Sequence, residues 1–429
     1  MAMMSDLSQD LVEEILSRLP MTSLGAVRST CKGWNTLSKN RILCKAEARH
    51  QFLGFTMMDQ RLFSMRFNLH RIGLNEDGEE FVDPSIKPIG NLLNQVLMSK
   101  IFYCDGLLLC VTMNNKRKLV VWNPYLGQTR WIQPKNDYRE GAKYALGYDN
   151  NKNHKILRFF DREGYYEIYD LKSNSWSLSN VIPNWKIYCY ERSTSLKGNT
   201  YFMSRKKEEA MEGYDSLLCF DFTTERFGQI LPLPFKQSFW DIWTLSCVKE
   251  EKLAVAVLYW KNTYVIEIWT TIKIDPNAAS WSKFLRVDRK PPIGIGFVFA
   301  NRDDSFFIDE EKKVAVVFSL DKVKTSTAYI IGDNRYLKTV DLEKAANFQE
   351  SVYRFLPLVC SCSSYYVPSL VQINQIAGHK SKDKKRKRTN KLNMDFAFHN
   401  VIFISSNTLR WYRDNDHDCF TNRSLNRPR

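Results

Sequence analysis

Residues 118–132 read KLVVWNPYLGQTRWI, and this stretch sets the architecture of the chain. Leu119, Val120, Val121 and Trp122 make a short apolar run rich in β-branched and aromatic residues, the composition of a buried strand. Asn123, Pro124 and Gly127 then mark a turn, and Trp131 follows as a second large aromatic. The same order returns three times: YEIYDL with Tyr169 precedes Trp176, LLCFDF with Phe220 precedes Phe227, and VIEIWTT with Trp269 precedes Trp281. Successive units lie about 50 residues apart. Upstream of each is a further apolar strand: GLLLCV at 106–111, KILRFF at 155–160, NTYF at 199–202 and KLAVAV at 252–257. A fifth unit runs from KKVAVVF at 312–318 to AYIIGD near Ile330.

A sheet built from one such unit is too small to bury its own two faces, so neighbours must stack, with the bulky aromatics at equivalent positions filling the space between them. A period near 50 residues with paired strands and turn signals predicts an all-β, kelch-like β-propeller. A β-sandwich with coincidental spacing is the alternative. Segments 52–69 and 365–373 are also strand-like, and pairing the two ends of the body would complete another blade and remove exposed edges. The blade count stays open.

Ahead of this body, residues 6–39 read DLSQDLVEEILSRLPMTSLGAVRSTCKGWNTLSK. Leu11, Val12, Ile15, Leu16 and Leu19 recur at helical intervals, while Glu13, Glu14, Ser17 and Arg18 take the other side. Ser8 supplies an N-cap, Asp10 places negative charge at the positive end of the helix dipole, and Pro20 cannot continue the hydrogen-bond ladder. Leu24, Val27 and Cys31 make a second apolar set, and Trp34 with Leu37 supplies a third short turn after Gly33. Three helices this small need an external apolar surface, either the body itself or a partner.

The residues Leu7, DLVEEILSRLP, SL, AVR, CK and Trp34 resemble an F-box, the segment with which plant F-box proteins dock on their ubiquitin-ligase adaptor; Ser8 stands where that family places proline. The resemblance extends through CDGLLLC, VVWNPYLGQTRWI, ALGYD, YEIYDLKSNSW, LKGNTYF, LLCFDFTTERFG, LPLP, IEIWTT, SWSKF and PSLVQI, which are similar to the F-box-associated domain of the same family. It implies a small α-helical F-box at 1–48, an F-box-associated propeller at 49–378 and a basic tail at 379–429. It further implies the substrate-receptor subunit of an SCF-type ubiquitin ligase, whose partners are the adaptor, through it a cullin, and a target protein. The expected adaptor contacts are Leu7, Leu11, Ile15, Leu16, Leu19, Pro20, Leu24, Val27 and Trp34.

Such a subunit needs no catalytic residue and no cofactor, and the sequence carries no Walker loop, G-x-G-x-x-G, G-x-S-x-G or H-E-x-x-H motif. Acidic groupings such as Asp309, Glu310 and Glu311 sit in turn-like contexts, and six histidines are scattered. The ten cysteines include no C-x-x-C pair, which favours reduced, buried thiols over disulfides or zinc, and no metal is expected. No run approaches the ~20 apolar residues of a membrane helix. Net charge is +15, and from Lys380 onward Lys and Arg outnumber Asp and Glu by 13 to 5. Lys384, Lys385, Arg386, Lys387 and Arg388 resemble a nuclear-import signal, placing the chain in the nucleus or cytoplasm; phosphate binding to nucleic acid and a merely solvated tail are the alternatives. Target recognition is expected on loops at 133–143, 183–193, 203–214, 234–243 and 286–296, where Trp185, Tyr188, Tyr190, Phe235, Phe239, Trp240 and Trp243 are either anchors or ordinary blade packing.

Overall fold

The long apolar runs form strands because both of their faces are covered. Along 107–111, Leu107, Leu109 and Val111 pack on one neighbouring sheet while Leu108 and Cys110 pack on the other. Along 253–258, Leu253, Val255 and Val257 alternate with Ala254, Ala256 and Leu258 in the same way. The two-residue period of a strand is therefore present in space but silent in hydropathy.

The computed structural model describes residues 12, 32–34, 51–58, 60–68, 85–89, 96–113, 118–134, 142–160, 165–180, 185–187, 193–206, 216–235, 241–259, 265–288, 305–320, 326–333, 337–342 and 366–373. The chain forms two compact units, Met1–Gln375 and Ile376–Arg429, and every described residue lies in the first.

Six antiparallel sheets follow one another. Blade one holds β1 (Gln51–Met58), β2 (Arg61–Asn68) and β3 (Ser85–Pro88); blade two holds β4 (Met98–Cys104), β5 (Leu107–Thr112), β6 (Leu119–Asn123) and β7 (Gln128–Ile132). Blade three holds β8 (Lys143–Tyr148), β9 (His154–Phe159), β10 (Tyr165–Asp170) and β11 (Ser175–Asn180). Blade four is built from β12 (Trp185–Ile187) and β13 (Ser193–Leu196), which share the edge of β14 (Asn199–Lys206), then β15 (Ser216–Asp221) and β16 (Arg226–Leu231). Blade five holds β17 (Ile242–Val248), β18 (Lys252–Leu258), β19 (Val265–Asp275) and β20 (Ala278–Asp288), and blade six β21 (Ser305–Asp309), β22 (Val314–Leu320), β23 (Ser326–Gly332) and β24 (Leu337–Asp341).

Each junction between consecutive blades has its own apolar core, and the series closes. Phe55, Met57 and Leu62 of blade one meet Ile101, Leu108 and Trp122 of blade two, and on the other face Phe63, Met65 and Phe67 meet Phe307, Val316 and Phe318 of blade six. The fold is thus a closed six-bladed β-propeller, not a sandwich. The aromatics of the third strands face the preceding blade as expected: Trp122, Tyr169, Phe220 and Trp269 enter the four successive seams. In blade six this position belongs to Tyr329, and Ile330 turns instead toward blade one. Of the second aromatics, Trp176, Phe227 and Trp281 pack into seams, whereas Trp131 is 44% exposed, because its neighbour Arg130 takes the place facing blade three.

In blades two to five the turn before the last strand uses one device. Asp170 Oδ1 accepts from the backbone N–H of Lys172 and Ser173, Asp221 Oδ1 from Thr223, and Asp275 Oδ1 from Asn277. Asn123 Oδ1 does the same for Leu126. The chain then reverses through a left-handed residue, Gly127, Asn174 or Glu225. In blades two to six these turns and the first hairpin turns all lie at one end of the disc, because successive antiparallel strands alternate direction.

Residues 366–373 form no strand. They cross this turn end of blade two as a strap, so the expected pairing of the chain ends is replaced by side-chain fastening. Asn123 Nδ2 donates to the carbonyls of Ser369 (3.0 Å) and Val371 (2.9 Å), the Tyr125 N–H donates to Tyr366 Oη, and the Ile373 N–H to Gln128 Oε1. Tyr366 also stacks edge-on against Phe55, tying the strap to the seam of blades one and two.

Candidate functional site

The strap ends its inner course at the axis of the ring, where the polar groups of several blades converge. Tyr103, on the innermost strand of blade two, donates from its hydroxyl to Glu250 Oε1 of blade five at 2.5 Å and accepts from the Val367 N–H at 3.0 Å. Blades two and five stand opposite one another, so this contact spans the centre. Asp105, in the adjoining turn, lies 3.7 Å from Lys152 Nζ and 3.3 Å from His154 Nε2, the latter at an angle that makes no hydrogen bond. Lys152 Nζ sits 3.7 Å above the ring of Tyr148.

Burial dominates the chemistry of this cluster. It pushes the Glu250 carboxyl above its usual range, with Asp105 adding to the effect and the Tyr103 hydroxyl and Lys152 opposing it. It also raises the Tyr103 phenol and the Cys104 thiol, and lifts the nearby Cys247 thiol to about 12. A thiol so placed is protonated and inert, and Cys104, Cys110, Cys219 and Cys247 are all buried and outside any disulfide. Among the described residues no group of His, Cys, Asp and Glu converges as a metal site. None of the described helical residues belongs to a helix long and apolar enough to cross a membrane.

Elsewhere the charged side chains fasten blades to one another or strands within a blade. Lys155 Nζ of blade three reaches Glu225 Oε1 (2.8 Å) and the Phe222 carbonyl of blade four. Lys252 meets Glu310 across the seam of blades five and six at 2.8 Å, and Asp309 accepts from the N–H groups of Glu311 and Lys312 within its turn. The acidic run 309–311 is therefore turn chemistry. Within blade five, burial raises the Glu267 carboxyl, but hydrogen bonds from Lys283, Tyr259 and Arg286 outweigh it and hold the group below its usual range.

Of the expected adaptor contacts, Trp34 alone is described: Lys32–Trp34 is helical and Trp34 is half-buried. The helix runs through Gly33 rather than restarting after it, a cost of about 1 kcal/mol relative to alanine that packing can absorb. Val12, on the predicted apolar face, is helical and buried. Leu7, Leu11, Ile15, Leu16, Leu19, Pro20, Leu24 and Val27 lie outside the described residues, as do Lys384, Lys385, Arg386, Lys387 and Arg388. Among the loop aromatics, Trp185 and Trp243 are buried in seams, and Phe235 packs at the edge of one, so these are blade packing; Tyr188, Tyr190, Phe239 and Trp240 lie outside the described residues.

The described part of the chain is thus a closed ring preceded in sequence by helical residues at 12 and 32–34. Residues 53–373 match the F-box associated beta propeller domain, and residues 4–46 match the F-box domain. The chain belongs to the F-box proteins with this propeller. F-box protein At3g19880 of Arabidopsis thaliana is 56% identical over 90% of this chain and 97% of its own length. F-box/kelch-repeat protein At3g13680 of the same plant is 50% identical over 91% of this chain and 100% of its own length. In this F-box protein the axial contact between Tyr103 and Glu250 had no sequence signal, since its partners are 147 residues apart. The Asp105-Gly106 turn beside it was visible as a turn dipeptide within CDGLLLC.

Proposed function

We propose that this F-box protein is the substrate-recognition subunit of an SCF-type cullin-RING ubiquitin ligase. The F-box binds the adaptor and the propeller holds a target protein for ubiquitination. The observation that supports this reading is the union, in one chain, of a segment matching the F-box domain with a closed ring whose blades are joined by apolar seams and by ion pairs such as Lys155–Glu225 and Lys252–Glu310. Such a body serves as a rigid platform. The subunit itself is non-catalytic: holding a target lysine beside a charged conjugating enzyme raises the effective concentration of one for the other, and that is the rate enhancement it supplies.

Leu16 lies at the centre of the adaptor-facing stripe in this reading. Leu16→Asp should cost at least ~2 kcal/mol of adaptor binding, the threshold of an interface hot spot, or roughly thirtyfold in affinity. Co-purification of adaptor and cullin with the wild-type chain, and their loss with the variant, is the expected result. Undiminished adaptor binding by Leu16→Asp overturns the assignment. The basic run Lys384–Arg388 acts in this proposal as a nuclear-import signal.

A further inference from the structure

Each sheet of the ring ends on a last strand, and five of the six carry something that discourages another strand from adding to them. β3 exposes Lys87 and ends in Pro88. The start of β7 is covered by the strap, Gln128 bonding Gln372 and Ile373. β16 breaks register opposite β15 and has Gly228 beneath the tip of the next hairpin, where an added Cβ would meet the Pro276 carbonyl at 2.5 Å. β20 shifts register twice and carries Lys283 and Arg286, and β24 carries the half-buried Lys338. Charges, prolines, bulges and covering chain are the usual ways of blunting a sheet edge.

Among the described residues, β11 carries none of these. Its sequence is SWSLSN, and it pairs with β10 without interruption from Tyr165↔Asn180 to Asp170↔Ser175. It is last in its sheet, so alternate backbone N–H and C=O groups point away from β10. Ser175, Ser177 and Leu178 are exposed, Leu178 at 62%. Strand alternation puts Leu178 on the face of Trp176, which packs against the seam of blades two and three and donates from Nε1 to the Gln133 carbonyl at 3.2 Å. The edge therefore offers a straight, uncharged backbone ladder with serines on one side and an apolar step of Trp176 and Leu178 on the other.

We propose that the β11 edge captures an extended segment of a partner protein by strand addition, the segment bearing apolar side chains at alternate positions to cover Trp176 and Leu178. The size of the edge decides the occupant. Six residues at ~3.3 Å each give a strip about 20 Å long and roughly 200 Å² per side, against ~800 Å² per partner in a stable assembly. A second copy of this chain meeting only here would bury too little. A single peptide strand, whose affinity comes from backbone hydrogen bonds, fits. The capture does not depend on the adaptor, and where the partner is the ubiquitination target it deepens the receptor reading and rests on it.

The probe is a displayed library of random peptides about twelve residues long, selected on the full-length protein. Selected peptides should show apolar residues at every second position. A synthetic consensus peptide should bind at least about tenfold more weakly to Ser177→Lys and to Leu178→Lys, both exposed positions at which the fold is kept. Saturating peptide should also slow hydrogen exchange at amides within 175–180. Equal binding to wild type and variants, protection elsewhere, or no peptide selected above background each overturns the proposal. So does a wild-type dimer that Ser177→Lys converts to monomer, since the edge would then belong to a second copy. Adaptor co-purification by the same variants separates this outcome from failure of the receptor reading.

Discussion

Replacing Phe220 with alanine tests whether the ring is held by its seams. The Phe220 side chain is fully buried between blades three and four, edge-on to Tyr166 at 5.5 Å, Phe222 at 4.9 Å and Phe227 at 4.9 Å. Truncating a buried phenylalanine costs 3–5 kcal/mol, the lost transfer energy plus the cavity left behind, so about 4 kcal/mol is expected here. Unfolding entropy near 2.1 cal/mol/K per residue over the body that spans 53–373 gives about 0.7 kcal/mol/K, hence a fall of about 6 °C in melting temperature. Trp131 occupies a comparable place in the repeat but is 44% exposed, and Trp131→Ala should cost about 1 kcal/mol, or 1–2 °C. Thermal unfolding followed by near-ultraviolet circular dichroism measures both. Equal shifts for the two variants would refute the claim that seam burial, rather than the aromatic repeat itself, stabilises the ring.

Glu250→Gln should show a pH-dependent effect. Because burial raises this carboxyl in the folded state, its contribution to stability is full below the ordinary value of 4.5 and is lost as pH rises through the raised native value. The variant should gain melting temperature relative to wild type as pH rises above the ordinary carboxylate value, and a difference independent of pH refutes the burial. Gly106 has φ +74°, and a Cβ there would lie 2.2 Å from Ser369 Cβ. Gly106→Ala should therefore cost at least ~2 kcal/mol and release the strap, read as new proteolytic cleavage within 366–373; an unchanged digestion pattern counts against the fastening. Replacing Lys384–Arg388 with alanines should move a tagged protein out of nuclei, and no shift retires the import signal. Binding to nucleic acid would instead show as affinity falling steeply with salt.

The second and third strands of blades two to six, and the aromatic of the fourth strand in blades two to five, were legible because β-branched and aromatic runs such as KLVVWNP and KLAVAV alternate with turn residues at a steady period. The first strands were not: STSL of β13 is short and polar, and β12, which shares the edge of β14 with it, is separated from it along the chain. Blade one was seen as strand-like without its place, since nothing local says that Phe67 meets Phe307 and Phe318. Which face a residue takes was equally hidden, because a strand such as LLLCVT is apolar on both sides. At the axis, Tyr103, Glu250 and Val367 are brought together only by closure of the ring. Long-range pairs of this kind leave no periodic trace.

The two ends of the disc are under unequal constraint. At one, the hairpins of blades two to six are short, from two residues between Cys104 and Leu107 or Asp275 and Ala278 to five between Tyr148 and His154. At the other, the chain needs only to return, as from Ile132 to Lys143 or Asp288 to Ser305. Insertions and deletions there leave all six seams intact. A lineage that duplicates such a gene can diversify what one end displays while inheriting the seams between blades unchanged, so that new specificities arise without a new folding problem.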